Sequence, residues 1–190
     1  LHRFLHSFPT RRSSDLAQIR GSQMAIRAFD YIADQLPDFR LVLLMRRDVS
    51  SDFSEFERLV QSIQHKNQIL ICYDRLTPQQ LKACFSAAYA VLLPFLLIPS
   101  EIPLTYFEVM SCGTPVISFR NEGTTDYLHS ALKIAPKRNF RDLAQTIVGL
   151  CRNPTERNSL ANKAQELMSK HPSWNESAKI WIQAIEHSVL

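Results

Sequence analysis

Short, mainly apolar runs alternate along this chain with longer segments whose apolar residues recur every three or four positions. The runs cover residues 41–45, 69–72, 90–93, 115–118 and 132–135. An apolar run of four or five residues fits a strand covered on both faces, and the intervening periodicity fits amphipathic helices. Strands that alternate with helices pair in parallel and form a doubly wound sheet. The alternation predicts an α/β fold, a three-layer α/β/α Rossmann-like domain with a mostly parallel sheet.

Residue types that start or stop helices bound several of the predicted helices. The apolar periodicity of residues 25–36 ends at Pro37, Thr77 provides an N-cap before Pro78, and Gly113 stops the helix that covers residues 104–111. Further helices are predicted over residues 53–63, just after Gly123, and over 140–152, 154–168 and 174–187. In the last of these, Trp174 and Trp181 lie seven residues apart on one face, which predicts that this face is packed.

Composition excludes several classes of protein. A chain of 190 residues with 45% hydrophobic and 21% charged residues is neither disordered nor collagen-like. Its longest uncharged apolar stretch, residues 87–100, is too short for a membrane span and contains two prolines. The cysteines lack the CxxC spacing and lie in apolar runs, so we expect buried thiols in a reducing, cytoplasmic compartment. They are Cys72, Cys84, Cys112 and Cys151.

The N-terminus carries a sequence of foreign character. Residues 7–16, Ser-Phe-Pro-Thr-Arg-Arg-Ser-Ser-Asp-Leu, resemble the conceptual translation of a widely used sequencing adapter. We therefore interpret residues 1–16 as a non-native scar outside the fold and residues 17–190 as the domain. Residues 1–16 supply two of the four net positive charges, because they contain three arginines and one aspartate. Without it, the basic charge gives little reason to expect nucleic acid as a partner.

The segment between the third and fourth predicted strands carries the chemistry. Ligands of open α/β sheets bind beyond the carboxyl ends of the strands, where this loop presents Ser100 and Glu101. A helix then starts near Pro103, whose missing N–H is not needed there. The first free amides of this helix, together with its dipole, predict an anion site. They belong to Leu104, Thr105 and Tyr106.

Two side chains extend this anion site toward a sugar nucleotide. The Thr105 hydroxyl can donate one more hydrogen bond, and the Glu108 carboxylate, one turn further along, can accept two from a ribose diol. The combination suits a nucleotide diphosphate with an attached sugar. These two residues, and Glu101 before them, also have simpler interpretations. Glu108 can be part of a solvated helix face, Glu101 a partner of the helix dipole, and Thr105 an ordinary helix residue.

At these positions the sequence resembles a known family. Residues 108–116, Glu-Val-Met-Ser-Cys-Gly-Thr-Pro-Val, resemble the E-A-M-A-x-G-x-P-V stretch of retaining GT-B glycosyltransferases, the "glycosyl transferases group 1" family. The resemblance is to their C-terminal donor-binding domain and runs from about Ile19 to the C-terminus. Arg20-Gly21 resembles the family's K-G element, and residues 121–126 resemble its G-G-x-x-E/D turn.

The resemblance implies a function for the chain, roles for individual residues, and a further domain that the chain lacks. It implies a fragment that binds a nucleotide-diphosphate sugar for retaining transfer, with no metal or cofactor required, in cell-envelope polysaccharide biosynthesis. The acceptor domain would be missing, any membrane contact would lie in that half, and the last helix would pack back toward it. The implied catalytic residues are Arg20 and Glu101, and the implied donor-binding residues are Ser100, Ile102, Pro103, Leu104, Thr105, Glu108, Tyr73 and Arg75.

Departures from the family pattern leave alternatives open. The family spacing E-x7-E would place its first glutamate at Ser100, but the glutamate here is Glu101, so either the loop is one residue shorter or that contact is lost. Arg20 can also be a surface arginine, and the Tyr73 and Arg75 side chains can be incidental to base recognition through the backbone. The displaced glutamate and the presence of only four glycines also fit a non-catalytic ligand-binding or interaction domain on the same fold. A sugar-nucleotide epimerase, which shares this architecture, is a further alternative.

Overall fold

Six parallel strands form one sheet in the computed structural model, which describes residues 3–7, 21–45, 54–98 and 102–188. The strand order is β3-β2-β1-β4-β5-β6, and every neighbouring pair is parallel. The predicted α/β class, and five of the strands, are confirmed. The strands are β1 (Arg3–Ser7), β2 (Phe39–Leu44), β3 (Ile69–Cys72), β4 (Ala88–Leu93), β5 (Val116–Phe119) and β6 (Leu132–Ala135).

The sixth strand, β1, was not expected. It lies at the centre of the sheet between β2 and β4, where Leu5 pairs with Leu41 and Ala90 and is fully buried. The expectation that residues 1–16 lie outside the fold is therefore wrong for residues 3–7. A doubly wound sheet needs a strand at this position to join its two halves, and the buried Leu5 supplies apolar contact there. The adapter origin of residues 7–16 stays a prediction, and residues 8–16 lie outside the described residues.

Eight helices surround this sheet in the described part of the chain, all close to the predicted positions. Their ends follow local chemistry: Thr77 and Gln80 form a reciprocal capping box at the start of one helix, and Asn139 and Asn153 accept backbone N–H bonds at the starts of two others. The helices are α1 (Ser22–Ile32), α2 (Ser54–Ser62), α3 (Pro78–Ala87), α4 (Leu104–Ser111), α5 (Thr124–Leu128), α6 (Phe140–Cys151), α7 (Pro154–Lys170) and α8 (Trp174–Ser188).

Side chains that alternate along each strand build one core on each face of the sheet. On β4, Leu92 joins the core under α1, α2 and α6, while Val91 and Leu93 join the core under α3, α4 and α7. Because helices begin after strand ends, the starts of α1, α4 and α5 lie at the carboxyl edge of the sheet. Their other ends lie at the amino edge, where the strands begin. This places the predicted site on one side of the molecule.

The last helix, α8, differs from the others because it is exposed along its length. Trp174 and Trp181 keep 81% and 70% of their surface accessible. The prediction that this face is packed is wrong for the described part of the chain, since periodicity marks an apolar face and does not name the surface that covers it. None of the helices that the structure describes is long and apolar enough to cross a membrane.

Candidate functional site

Two loops meet where the strand order of the sheet reverses, between β1 and β4. Gly21, at the start of α1, adopts a left-handed backbone with φ of 77°, and a Cβ there would lie 2.0 Å from the carbonyl oxygen of Pro94. Only glycine permits both the backbone conformation and the close approach. In open α/β sheets the ligand crevice lies beyond the strand ends at this reversal point. Gly21 thus brings one wall of the expected crevice against the other.

The start of α4 lies beside this contact. Pro103 occupies the N-cap position in an extended conformation, and no side chain caps the helix. The Tyr106 N–H donates to the Pro103 carbonyl at 3.0 Å. The prediction that this amide is free to bind an anion is therefore wrong. The backbone hydrogen bonds of the described residues do not use the N–H groups of Leu104 and Thr105. Two amides, rather than three, remain for a ligand at this helix terminus.

A buried polar network fixes the first turn of α4 against the sheet. The Tyr106 hydroxyl lies 2.7 Å from the Ser118 hydroxyl, which in turn donates to the Leu93 carbonyl at 2.9 Å. Burial raises the pKa of Tyr106, so its phenol stays neutral. The network joins α4 to the ends of β4 and β5 and was not predicted. The available signal was a serine, Ser118, at the end of an apolar strand.

Glu108 lies one turn into α4 and is exposed. Among the described residues its carboxylate has no hydrogen-bond or ion-pair partner, so both oxygens remain available to an incoming donor. Thr105 is half-buried, Leu104 is 60% exposed, and Ile102 packs against the core beneath the helix. The structure therefore brings Ile102, Pro103, Leu104, Thr105 and Glu108 together at the carboxyl edge.

Tyr73 and Arg75 follow β3 at the same edge but stand apart from α4. The Tyr73 hydroxyl donates to a carboxylate oxygen of Glu57 on α2 at 2.9 Å, while Arg75 is exposed. Three strand spacings, about 14 Å, separate β3 from β4. An extended nucleotide sugar could bridge that distance. Because the Tyr73 hydroxyl is already engaged by Glu57, base recognition through its side chain gains no support.

Three of the predicted site residues, Arg20, Ser100 and Glu101, lie outside the described residues, and their roles stay predictions. The turn over residues 121–126 is well defined: Asn121 is buried, and its amide donates to the carbonyls of Phe95 and Phe119 at 3.2 Å each.

A further cavity opens beside this turn, with a volume of about 470 Å³ and lined by Arg120, Glu122, Ala135, Pro136 and Arg138. Arg138 was not predicted, because a loop arginine carries no periodic signal. In the described part of the chain, no group of three or more His, Cys, Asp or Glu side chains is placed to hold a metal ion.

Comparison with known proteins identifies the family to which most of the chain belongs. Residues 13–153 match the family described as Glycosyl transferases group 1. No curated protein sequence matches the chain significantly. The structure superposes on WaaG, a glycosyltransferase involved in lipopolysaccharide biosynthesis, with a TM-score of 0.74 and 15% identity, covering 94% of this chain and 46% of WaaG.

Two further structures share the fold. The C-terminal domain of LpcC, a glycosyl transferase group 1 family protein from Francisella tularensis, matches with a TM-score of 0.69 and 14% identity, over 88% of this chain and 84% of that domain. Sucrose-phosphate synthase from Thermosynechococcus elongatus matches with a TM-score of 0.79 and 19% identity, over 98% of this chain and 46% of the enzyme. The chain thus spans less than half of WaaG and of the synthase, and most of the isolated LpcC domain.

Proposed function

Since the chain belongs to the Glycosyl transferases group 1 family, we propose that it is the donor-binding half of a sugar-nucleotide-dependent glycosyltransferase. One observation supports this most strongly. The open amides of Leu104 and Thr105 stand one turn from the Glu108 carboxylate, which has no partner among the residues that the structure describes, beside the point where the strand order reverses. An anion site next to a diol acceptor matches the two polar parts of a nucleoside diphosphate.

The proposed chemistry divides the donor along the carboxyl edge. The diphosphate lies at the start of α4, where the helix dipole and two N–H groups stabilise the negative charge that develops as the sugar leaves. The Glu108 carboxylate accepts hydrogen bonds from the ribose hydroxyls. Arg20 adds a cation to the diphosphate, and Glu101 accepts the sugar hydroxyls.

The remaining parts of the reaction belong to the rest of the enzyme. Transfer proceeds with retention and without a required metal, and the acceptor binds a second domain that is not part of residues 17–190. We extend the proposal to cell-envelope polysaccharide synthesis because WaaG, which shares the fold, is a glycosyltransferase involved in lipopolysaccharide biosynthesis. By itself, this chain is expected to bind donor weakly and to transfer no sugar. Incubation with UDP-glucose and GDP-mannose tests this, and robust transfer by the 190 residues alone would contradict it.

Calorimetric titration of the chain with UDP and with GDP tests donor binding. We expect one of the two to bind, and Glu108→Ala to weaken that binding about tenfold, since a charged hydrogen-bond acceptor is lost. Glu186→Ala, at an exposed glutamate on α8, removes the same charge away from the site and is expected to leave binding unchanged. Absence of binding to both nucleotides, or equal behaviour of the two variants, would contradict the proposal.

The E-x6-E spacing favours a second candidate, a domain that binds the nucleotide but does not catalyse transfer. It shares the diphosphate site and the role of Glu108 but assigns no sugar contact to Glu101. Glu101→Gln distinguishes the two: it should weaken binding of the nucleotide sugar relative to the free nucleotide in a transferase, and change neither in the non-catalytic domain.

A further inference from the structure

A single arginine joins three loops at the carboxyl edge. Arg138 lies in the short connection between β6 and α6, and its guanidinium donates to the Leu96 carbonyl at 3.1 Å. Two more bonds, of 2.6 and 3.2 Å, reach the Arg120 carbonyl, and a fourth of 3.3 Å reaches the side-chain oxygen of Asn121. These acceptors lie in the loops that follow β4 and β5.

Most donors of the Arg138 side chain are thereby engaged by the protein. A guanidinium has five N–H donors, and four of them are engaged. Its own loop is held as well, because the neighbouring Asn139 caps α6 by accepting from the N–H groups of Arg141 and Asp142. All the acceptors of Arg138 are neutral, and no carboxylate of the described residues pairs with it. A side chain in this arrangement fixes geometry and leaves a single donor for any ligand.

The loop after β4 is the one that Arg138 restrains. Asn121 donates to the Phe95 carbonyl and Arg138 to the next one, Leu96, while Gly21 packs against Pro94 on the other side. The ring of Phe95 in this loop lies 5.8 Å from the ring of Tyr106 in the first turn of α4. The loop therefore supports, together with the network of Tyr106 and Ser118, the position of the open amides and of Glu108 relative to the crevice.

We propose that Arg138 is a positioning residue that holds the loop after β4 in the conformation that binds the donor. The nucleotide ligand in this inference comes from the proposed function. The loop contacts of Arg138 come from the structure and do not depend on that function. Holding the loop in place before binding removes the entropy loss that a mobile loop would suffer on binding. Loss of Arg138 should therefore weaken nucleotide binding although its guanidinium touches no phosphate.

Arg120 provides a matched control in the same cavity. Its side chain is 75% exposed and makes only a loose, 3.8 Å ion pair with Asp126, while its carbonyl, which any residue would supply, accepts the bonds from Arg138. Arg120→Gln therefore removes the same charge from the same cavity and keeps the loop contacts. Arg138→Gln removes the charge and the contacts together. Arg138→Lys keeps the charge but cannot span the three acceptors at once.

The first measurement is hydrogen exchange of the chain without nucleotide. We expect the amides of residues 95–98 to exchange about tenfold faster in Arg138→Gln and Arg138→Lys, and at the original rate in Arg120→Gln, because local opening is governed by local contacts. Thermal unfolding checks that all variants remain folded. Unchanged exchange in both folded Arg138 variants would overturn the proposal.

The second measurement is titration of the same variants with UDP and GDP. Binding should weaken about tenfold in both Arg138 variants and remain within about twofold of the original in Arg120→Gln. Original affinity in Arg138→Lys, or an equal loss in Arg120→Gln, would show that charge is recognised and would overturn the positioning role. If the unaltered chain binds neither nucleotide, the proposed function fails, and hydrogen exchange alone then decides whether Arg138 holds the loop.

Discussion

The carboxyl and amino edges of the sheet use polar side chains in opposite ways. At the carboxyl edge the partners are mostly neutral: Arg138 and Asn121 bind carbonyl oxygens, and Glu108 has no partner among the described residues. At the amino edge the charges compensate one another. The imidazole of His65 lies between Asp30 and Asp34, at 3.0 Å from each carboxylate.

The difference separates binding from pH-dependent stability. Charges that already have partners gain little from a ligand, whereas a fixed loop with an open carboxylate and open amides retains its capacity to bind one. Nucleotide affinity should therefore respond to changes at the carboxyl edge, and pH-dependent stability to changes at the amino edge. The following predictions test that division, beginning with the largest effect.

Gly21→Ala should destabilise the chain most. A left-handed backbone and a Cβ placed 2.0 Å from the Pro94 oxygen together should lower the free energy of unfolding by about 3 kcal/mol. Gly123→Ala is the matched control, because its φ is 78° but its Cβ would meet nothing within 4 Å, so a loss of only about 1 kcal/mol is expected. Urea denaturation measures both, and equal losses would show that Gly21 and Pro94 are not in contact.

Tyr106→Phe should remove one member of the buried network and keep the ring in place. We expect the free energy of unfolding to fall by about 1 kcal/mol, because Ser118 keeps its bond to the Leu93 carbonyl. Thermal unfolding should shift downward by about 3 °C. Tyr31→Phe, at an exposed tyrosine on α1, is the control. An unchanged melting temperature in Tyr106→Phe would contradict the network.

His65 should make stability depend on pH at the amino edge. Burial by itself lowers the pKa of His65, but the hydrogen bonds to Asp30 and Asp34 outweigh it, and the pKa is raised above 6.5. A raised folded-state pKa contributes stability that is fully present below pH 6.5 and is lost as pH rises through the folded-state value. In His65→Gln we expect about 1 kcal/mol of stability to be lost at pH 5.5 and less at pH 8.5.

Urea denaturation at the two pH values measures this difference, with His187→Gln on the exposed α8 as the control. Nucleotide affinity should stay unchanged in His65→Gln, because the side chain lies at the opposite edge from the donor site. A loss of stability that is the same at both pH values would contradict the assigned charge on His65.

Trp181→Ser should have the smallest effect on stability. It gives the change in free energy of unfolding expected for an exposed side chain, against which the variants at both edges can be compared. Since this side chain is 70% exposed on α8, we expect the free energy of unfolding to change by less than about 0.5 kcal/mol. Chemical denaturation, monitored by circular dichroism, measures it. A loss of 2 kcal/mol or more would show that α8 packs against this chain.

Local chemistry made most elements predictable from the sequence, and non-local contacts made the rest unpredictable. Buried strands such as 69–72 and capped helices such as the one after Thr77 carry their signals within a few residues. By contrast, β1 carries no apolar run like those of the other strands, and its place in the sheet depends on strands that lie far away in sequence. The exposure of Trp181 likewise depends on what packs beside α8.

The site follows the same division. Glu108 and the start of α4 were predictable because motif spacing and helix geometry are local. Three other features of the site were not predictable. The hydroxyl link from Tyr106 to Ser118 and the contacts of Arg138 join residues from separate loops or elements. The hydrogen bond of the Tyr106 amide depends on the details of one helix turn. These contacts decide which groups remain open to a ligand.

Comparison of a ribonucleotide with its 2′-deoxy analogue tests the central claim most directly. Calorimetry should give tighter binding of UDP or GDP, whichever binds, than of its 2′-deoxy form by about fivefold, the value of one hydrogen bond. In Glu108→Ala this preference should disappear, while in Glu186→Ala it should persist. A preference that survives Glu108→Ala would contradict the assignment of Glu108 to the ribose, and no binding of either nucleotide would contradict a donor site at the carboxyl edge.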